Sequence, residues 1–217
     1  SPPVKQVGVS YTIFGICVDG TYLAFDETHA HMNIPATFMW APQLTDRPVQ
    51  VKFNDLEKLG WKVATQLKPS GKADVYTAPS FQYFMDSPVE LSAHKIASWH
   101  DVNPDGSKQE IRLSSHTSDS QETVEKYGKM VERMTQEAKA VFGELPRFDF
   151  GTYTFLQDLH PDNSGDGMEH RNSTVITGST PKIEGNENRL LGTFSHEFFH
   201  AWNVERIRPK TLEPFNF

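Results

Sequence analysis

One cysteine, Cys17, is all that the 217 residues carry, which excludes an intramolecular disulfide framework and any cysteine-based zinc knuckle. A lone thiol in an apolar stretch is expected to be buried as a small hydrophobe rather than to act as a nucleophile. No apolar run approaches the roughly 20 residues needed to span a bilayer. Basic residues are outnumbered, 21 Lys and Arg against 28 Asp and Glu. A nucleic-acid partner needs a basic footprint, so none is expected at a net charge of −7. The first residues, Ser1-Pro2-Pro3-Val4-Lys5, lack the apolar centre of a signal peptide. A start without Met is the expectation for a processed end, so cytoplasm and periplasm both stay open.

A hydrophobic content of 37% with 12% aromatics is enough to build a core, and the length suits one sizeable domain or two small ones. The first half reads as β-structure. Val9 to Val18 is a β-rich run closed by the turn pair Asp19-Gly20. Further strands are expected at Thr37–Trp40, Val49–Phe53, Trp61–Leu67, Phe81–Met85, Val89–Ser92, His94–Trp99 and Gln109–Ser114. Asn103-Pro104-Asp105-Gly106 joins the last two as a hairpin. Short strands at this spacing predict an all-β, sandwich-like domain over residues 1–115.

The period changes at Ser118. Val124, Tyr127, Val131, Met134, Ala138, Val141 and Phe142 recur at three- and four-residue spacings, the stripe of an amphipathic helix. Ser118 or Asp119 is the expected N-cap, and Gly143 with Pro146 the stop. Phe148–Leu156 and Met168–Thr177 have strand character, with polar loops between and after them, and a second helix starts near Asn188 or Arg189. Residues 116–217 therefore mix strands and helices, and the whole chain reads as α+β.

That second helix carries His196-Glu197-Phe198-Phe199-His200. Histidines four residues apart lie one above the other on a helix face, so both imidazoles can reach one ion at about 2.0–2.1 Å, the bond length of zinc. Glu197 lies about 100° around the helix from His196. It flanks the ion without binding it and can take a proton from an attacking water. Leu190, Leu191, Phe194, Phe198, Phe199 and Trp202 make the helix apolar elsewhere. The plain alternative is two surface histidines on an amphipathic helix. A third ligand is not evident. Ala201-Trp202-Asn203-Val204-Glu205-Arg206 lacks the Gly and His of the long metzincin form. Glu205 would point about 140° away from His200 on a continuous helix, and Glu213 could reach back only by a sharp turn. A gluzincin arrangement takes its Glu from a following helix, expected here beyond residue 217.

The stretch Ser195–Pro209, with Leu212, Pro214 and Phe215, resembles the M61 (glycyl aminopeptidase) family of metallopeptidases. The resemblance implies a β-rich N-terminal domain, the first part of a thermolysin-like catalytic domain in residues 116–217, and usually a C-terminal PDZ domain. It implies zinc as cofactor, His196 and His200 as its ligands and Glu197 as general base. Gly167-Met168-Glu169-His170-Arg171-Asn172-Ser173 is similar to the Gly-x-Met-Glu-Asn edge strand of the related M1 aminopeptidases, whose Glu binds the substrate's free amino group. Glu169 takes that role by resemblance, and Gly167, Met168 and His170 would line the substrate, with His170 bonding it or orienting Glu169. An ammonium entering an apolar cleft needs a carboxylate partner, which would fix cleavage at the N-terminal residue. Thr28–Asn33 also looks family-like. Glu205 and Asn216 depart from the family, which more often has Lys and Asp there.

The expectation is a zinc aminopeptidase acting on peptides. Its rivals are an endopeptidase of the same mechanism, an inert fragment or binding module with an incomplete metal site, and a site completed by a second copy. His29 and His31 alternate along a strand and would share a face, a small-metal pair without a third ligand nearby. His94, His100, His116 and His160 have no partner at a diagnostic spacing. Arg206 and Arg208, beside Pro209, are expected to anchor the helix end through carboxylates.

Overall fold

The structure is a computed structural model that describes residues 6–17, 19–21 and 23–212. The first third is β-rich. Strands β1 (Leu23–Phe25), β2 (His29–Met32), β7 (Val89–Ser92) and β4 (Lys62–Thr65) form one antiparallel sheet in the order β1-β2-β7-β4. A second antiparallel sheet runs β3 (Val49–Lys52), β6 (Val75–Ala78), β5 (Lys68–Pro69). Alternation explains β3: Val51 is buried while Gln50 and Lys52 face water. Met32, Val89 and Leu91 of the first sheet share a core with Val51 and Ala78 of the second, filled by Ile34, Phe53, Leu56, Phe81 and Phe84. Two sheets around one core match the expected β-rich N-terminal region.

Several expected strands are something else. Phe81–Met85 is a short helix, α3, because Ser80 caps it by accepting a hydrogen bond from Tyr83 N at 3.2 Å. Aromatic content alone read as strand there. Of Thr37–Trp40, Thr37 closes the helical turn α1 (Ile34–Thr37), entered at Pro35. Another one-turn helix, α2 (Leu56–Leu59), ends at Gly60. Of Val9–Val18, Val18 lies outside the described residues, and residues 9–17 make only a single bridge, Ile16 to Ala24. Cys17 is consequently exposed, not buried.

From residue 95 onward one five-stranded sheet organises the chain, in the order β11 (Asp166–His170), β12 (Ser173–Gly178), β10 (Thr152–Leu159), β9 (Lys108–His116), β8 (Lys95–Val102). β8 and β9 are the expected hairpin, with Gly106 at φ +85° in its turn. β9, β10 and β12 are mutually parallel, and β11 is an antiparallel edge. The sheet thus runs across residues 115 and 116. Its parallel step from β9 to β10 needs a crossover, supplied by α4 (Gln121–Phe142). The cap of α4 is Ser120, one or two residues later than expected, and Gly143 at φ +85° ends it. Val124, Tyr127 and Val131 are buried, but Val141 faces water. Gly128 permits close packing on β8: a Cβ there would stand 2.6 Å from that of Ala97. The main core gathers Tyr127, Tyr153, Phe155 and Trp202 around Phe194 and Phe198 of the last helix, α5 (Glu187–Phe199).

The two β-units are stitched together by a buried glutamine. Gln66 Nε2 donates to Asp86 O (2.6 Å) and Ser87 Oγ (3.1 Å), while its Oε1 accepts from Asn172 N (2.8 Å) and Ser173 Oγ (2.9 Å). Among the described residues no helix is long and apolar enough to cross a membrane.

Candidate metal centre

α5 buries Leu190, Phe194 and Phe198, four residues apart, against the main core. That stripe fixes the rotation of the helix and leaves His196 and His200 on the outer side, one turn apart. His200 is the C-cap, at φ −66° and ψ −17°, so the helical path persists through it. Nε2 of His200 lies 3.3 Å from Nε2 of His196. A tetrahedral ion with bonds of 2.0–2.1 Å has ligand atoms about 3.3 Å apart, so this pair spans one edge of such a site. The Nδ1–H of His200 donates to Asn203 O at 2.9 Å, which fixes the tautomer and leaves the Nε2 lone pair for an ion. The donor set fits zinc.

Glu197 sits between the two histidines with only 6% of its surface exposed. Burial raises its pKa above the usual carboxylate value; His196 and His200 oppose that shift, while Glu169 and Asp166 add to it. Its carboxylate lies against Gly167 of the edge strand. A Cβ at Gly167 would collide with Oε1, Cδ and Cγ of Glu197, so only glycine leaves room for the acid in this position. One ligand atom each from Glu169, Glu197 and His200 lie within 4.8 Å of one another.

Strand alternation divides the four edge-strand residues. Gly167 and Glu169 face α5 and the histidines, whereas Met168 and His170 take the opposite face. Met168 packs against Ala64, Leu156 and Val175. His170 is held by Asp86 (Nδ1 to Oδ1, 2.9 Å) and is 8% exposed, so it does not orient Glu169. Both border an apolar cleft of about 410 Å³ lined also by Trp40, Phe81 and Met85.

Beyond His200 the helix does not continue. Val204 takes φ +119°, and Glu205 N donates back to His200 O at 3.1 Å. The 140° expected for Glu205 on a continuous helix therefore does not apply. Glu205 is instead buried away from the histidines; desolvation, with Asp86, pushes its pKa up to about 7. Arg206 anchors the helix end as expected, but through carbonyls rather than carboxylates, donating to Ala201 O (2.8 Å) and Arg171 O (3.0 Å). Glu213 and Asn216 lie outside the described residues.

The helix that holds the histidine pair falls in a match to the M61 glycyl aminopeptidase family over residues 189–217, and the M61 N-terminal domain matches residues 1–93. The chain belongs to the M61 peptidase family. Among solved structures this M61 chain is similar to an aminopeptidase N family protein from Idiomarina loihiensis, at 22% identity and a TM-score of 0.68. The likeness covers 91% of this chain and 34% of that one. It is also similar to Legionella pneumophila aminopeptidase A, solved with aspartic acid, at 13% identity and a TM-score of 0.55, over 87% of this chain and 24% of the other. The M61 chain thus spans about a third of one of these relatives and a quarter of the other, and the likeness concerns the fold. No curated relative matches it in sequence.

Two contributors to the site in this M61 chain escaped the sequence reading. The Asn203 carbonyl could have been sought three residues past His200, where a chain leaving a helix turns back. The Gly167–Glu197 contact joins residues thirty positions apart and left no local signal.

Proposed function

We propose that the protein is a zinc-dependent aminopeptidase that removes N-terminal residues from peptides. In this reading the β-rich region before residue 95 is the N-terminal domain, and the sheet from residue 95 onward with α4 and α5 is the first part of a thermolysin-like catalytic domain, a boundary about twenty residues earlier than the expected 115. His196 and His200 hold the ion. The observation that carries the reading is the 3.3 Å between the two Nε2 atoms with the buried Glu197 carboxylate beside them. Zinc bound there would polarise the scissile carbonyl and acidify the attacking water. Glu197 takes the proton from that water and later delivers it to the leaving amine. Asn203 holds the His200 ring in register, and Gly167 lets the base lie flat against the edge strand.

Glu169 binds the ammonium of the substrate's first residue and so sets the point of cleavage. Its placement near Glu197 and His200 supports this, since the α-ammonium and the attacked carbonyl carbon of a first residue are only two bonds apart and must be held close together. The test compares Glu169→Gln on free-amine and N-acetylated substrates. An aminopeptidase is expected to lose roughly a hundredfold in kcat/KM on the free amine, about 2.7 kcal/mol of a buried charge-assisted bond. Its slow hydrolysis of the blocked substrate should hardly change. Equal losses on both, or a wild type that prefers blocked peptides, would make the enzyme an endopeptidase instead.

A further inference from the structure

The sequence pairs His29 and His31 on one face of a strand and offers no third ligand near them. The fold brings two candidates to His29 from another sheet. His116 of β9 and Asp158 of β10 stand opposite each other in parallel register, and both meet His29 of β2. His29 Nε2 lies 3.4 Å from Asp158 Oδ2, and His116 Nδ1 lies 2.7 Å from Asp158 Oδ1. The His29 and His116 rings stack with centroids 4.4 Å apart. One ligand atom from each of the three residues lies within 4.8 Å of the other two.

His29 and Asp158 are each 1% exposed. Asp26 Oδ1 stands 3.1 Å from His29 Nδ1, placed to accept a hydrogen bond from it, which leaves Nε2 as the nitrogen presented to Asp158. That Nε2 has no hydrogen-bond partner among the described residues. Three neighbouring buried atoms share this condition: His31 Nε2, Glu90 Oε1 and His94 Nε2. Glu90 pairs with His31 across β2 and β7 and adds a second buried carboxylate. Buried polar atoms without partners are costly, and native proteins fill such clusters with protons, water or ions.

We propose that His29, His116 and Asp158 form a second metal site, for a divalent transition ion such as zinc, separate from the His196–His200 pair. Two imidazoles and one carboxylate are a nitrogen-rich, borderline set that favours zinc, cobalt or nickel over calcium or magnesium. The Asp26 contact on the far nitrogen of His29 is the outer support that ligating histidines use. Asp158 stands two strands away from β11, about 10 Å across the sheet, so the ion would not share the peptide site. It would clamp β2 of the N-terminal sheet to β9 and β10. A second proton on His29 is the rival occupant. Burial draws the pKa of His29 down, but Asp158, Glu90 and Asp26 overcome this and push it up to about 9.

The test uses the chain with His196→Ala and His200→Ala, so that the first site cannot bind, and Zn²⁺ alone as the probe. One equivalent of zinc is expected to survive desalting, and the melting temperature should rise by about 5–10 °C at saturating metal. The ¹⁵N resonance of His29 Nε2 should leave the imidazolium position on titration. Adding Asp158→Asn or, where that variant fails to fold, His116→Gln should cut affinity by roughly tenfold to a hundredfold. A folded double variant that retains no zinc would overturn the proposal. So would zinc that is indifferent to both substitutions, or a His29 that stays doubly protonated at saturating zinc.

Discussion

Replacing Glu197 with Gln is expected to lower kcat by about a thousandfold, within the 10²–10⁴ range that a positioned general base contributes, while zinc affinity changes little. The substitution keeps the shape that fits beneath Gly167 and removes only the ability to accept a proton. Glu197 is expected not to ligate the ion, so the metal should remain; measured zinc content alongside kcat on an amino-acid amide separates the two effects. Loss of zinc together with activity would make Glu197 a ligand. Retention of more than about a tenth of the activity would remove it from the base's role.

Gly167→Ala should have the next largest effect, by a route that leaves stability almost untouched. Gly167 is not among the glycines at positive φ, so the backbone tolerates alanine. What does not tolerate it is the Glu197 carboxylate, the atoms of which occupy the space of the new methyl. A carboxylate at the end of a flexible side chain can swing away at small cost in folding, but it then no longer faces the attacking water. A displacement of about 1 Å costs on the order of a hundredfold in rate. The expected result is therefore kcat reduced by roughly that factor, with the melting temperature within about 2 °C of the parent, as befits an edge-strand change worth under 1 kcal/mol. A large fall in melting temperature with normal residual kcat would show that Gly167 serves the fold instead.

The parts of this molecule that local patterns control were legible in its sequence. The stripe from Val124 to Phe142 gave α4, Asn103–Gly106 gave the β8–β9 turn, and the His196–His200 spacing gave a shared helix face. What failed was context. Phe81–Met85 has the aromatic content of a strand, and one capping hydroxyl at Ser80 decided for helix. Cys17 sits among apolar neighbours, but almost no strand pairing forms around it. The single strand expected at Met168–Thr177 is broken by a turn at 171–172 into β11 and β12, and the split of the edge-strand side chains between the α5 face and Asp86 depends on what packs on each face. His29 could not be joined to His116 and Asp158 by any spacing rule, since the register of β9 with β10 and the approach of β2 are both non-local.

The account rests on His196 and His200 converging on one ion, and anomalous diffraction at the zinc edge from crystals grown with zinc measures this directly. The account predicts a peak about 2.0–2.1 Å from both Nε2 atoms, with Glu197 beside it but unbound. Density at neither nitrogen, or the two rings turned apart with that face of α5 packed dry, would contradict it.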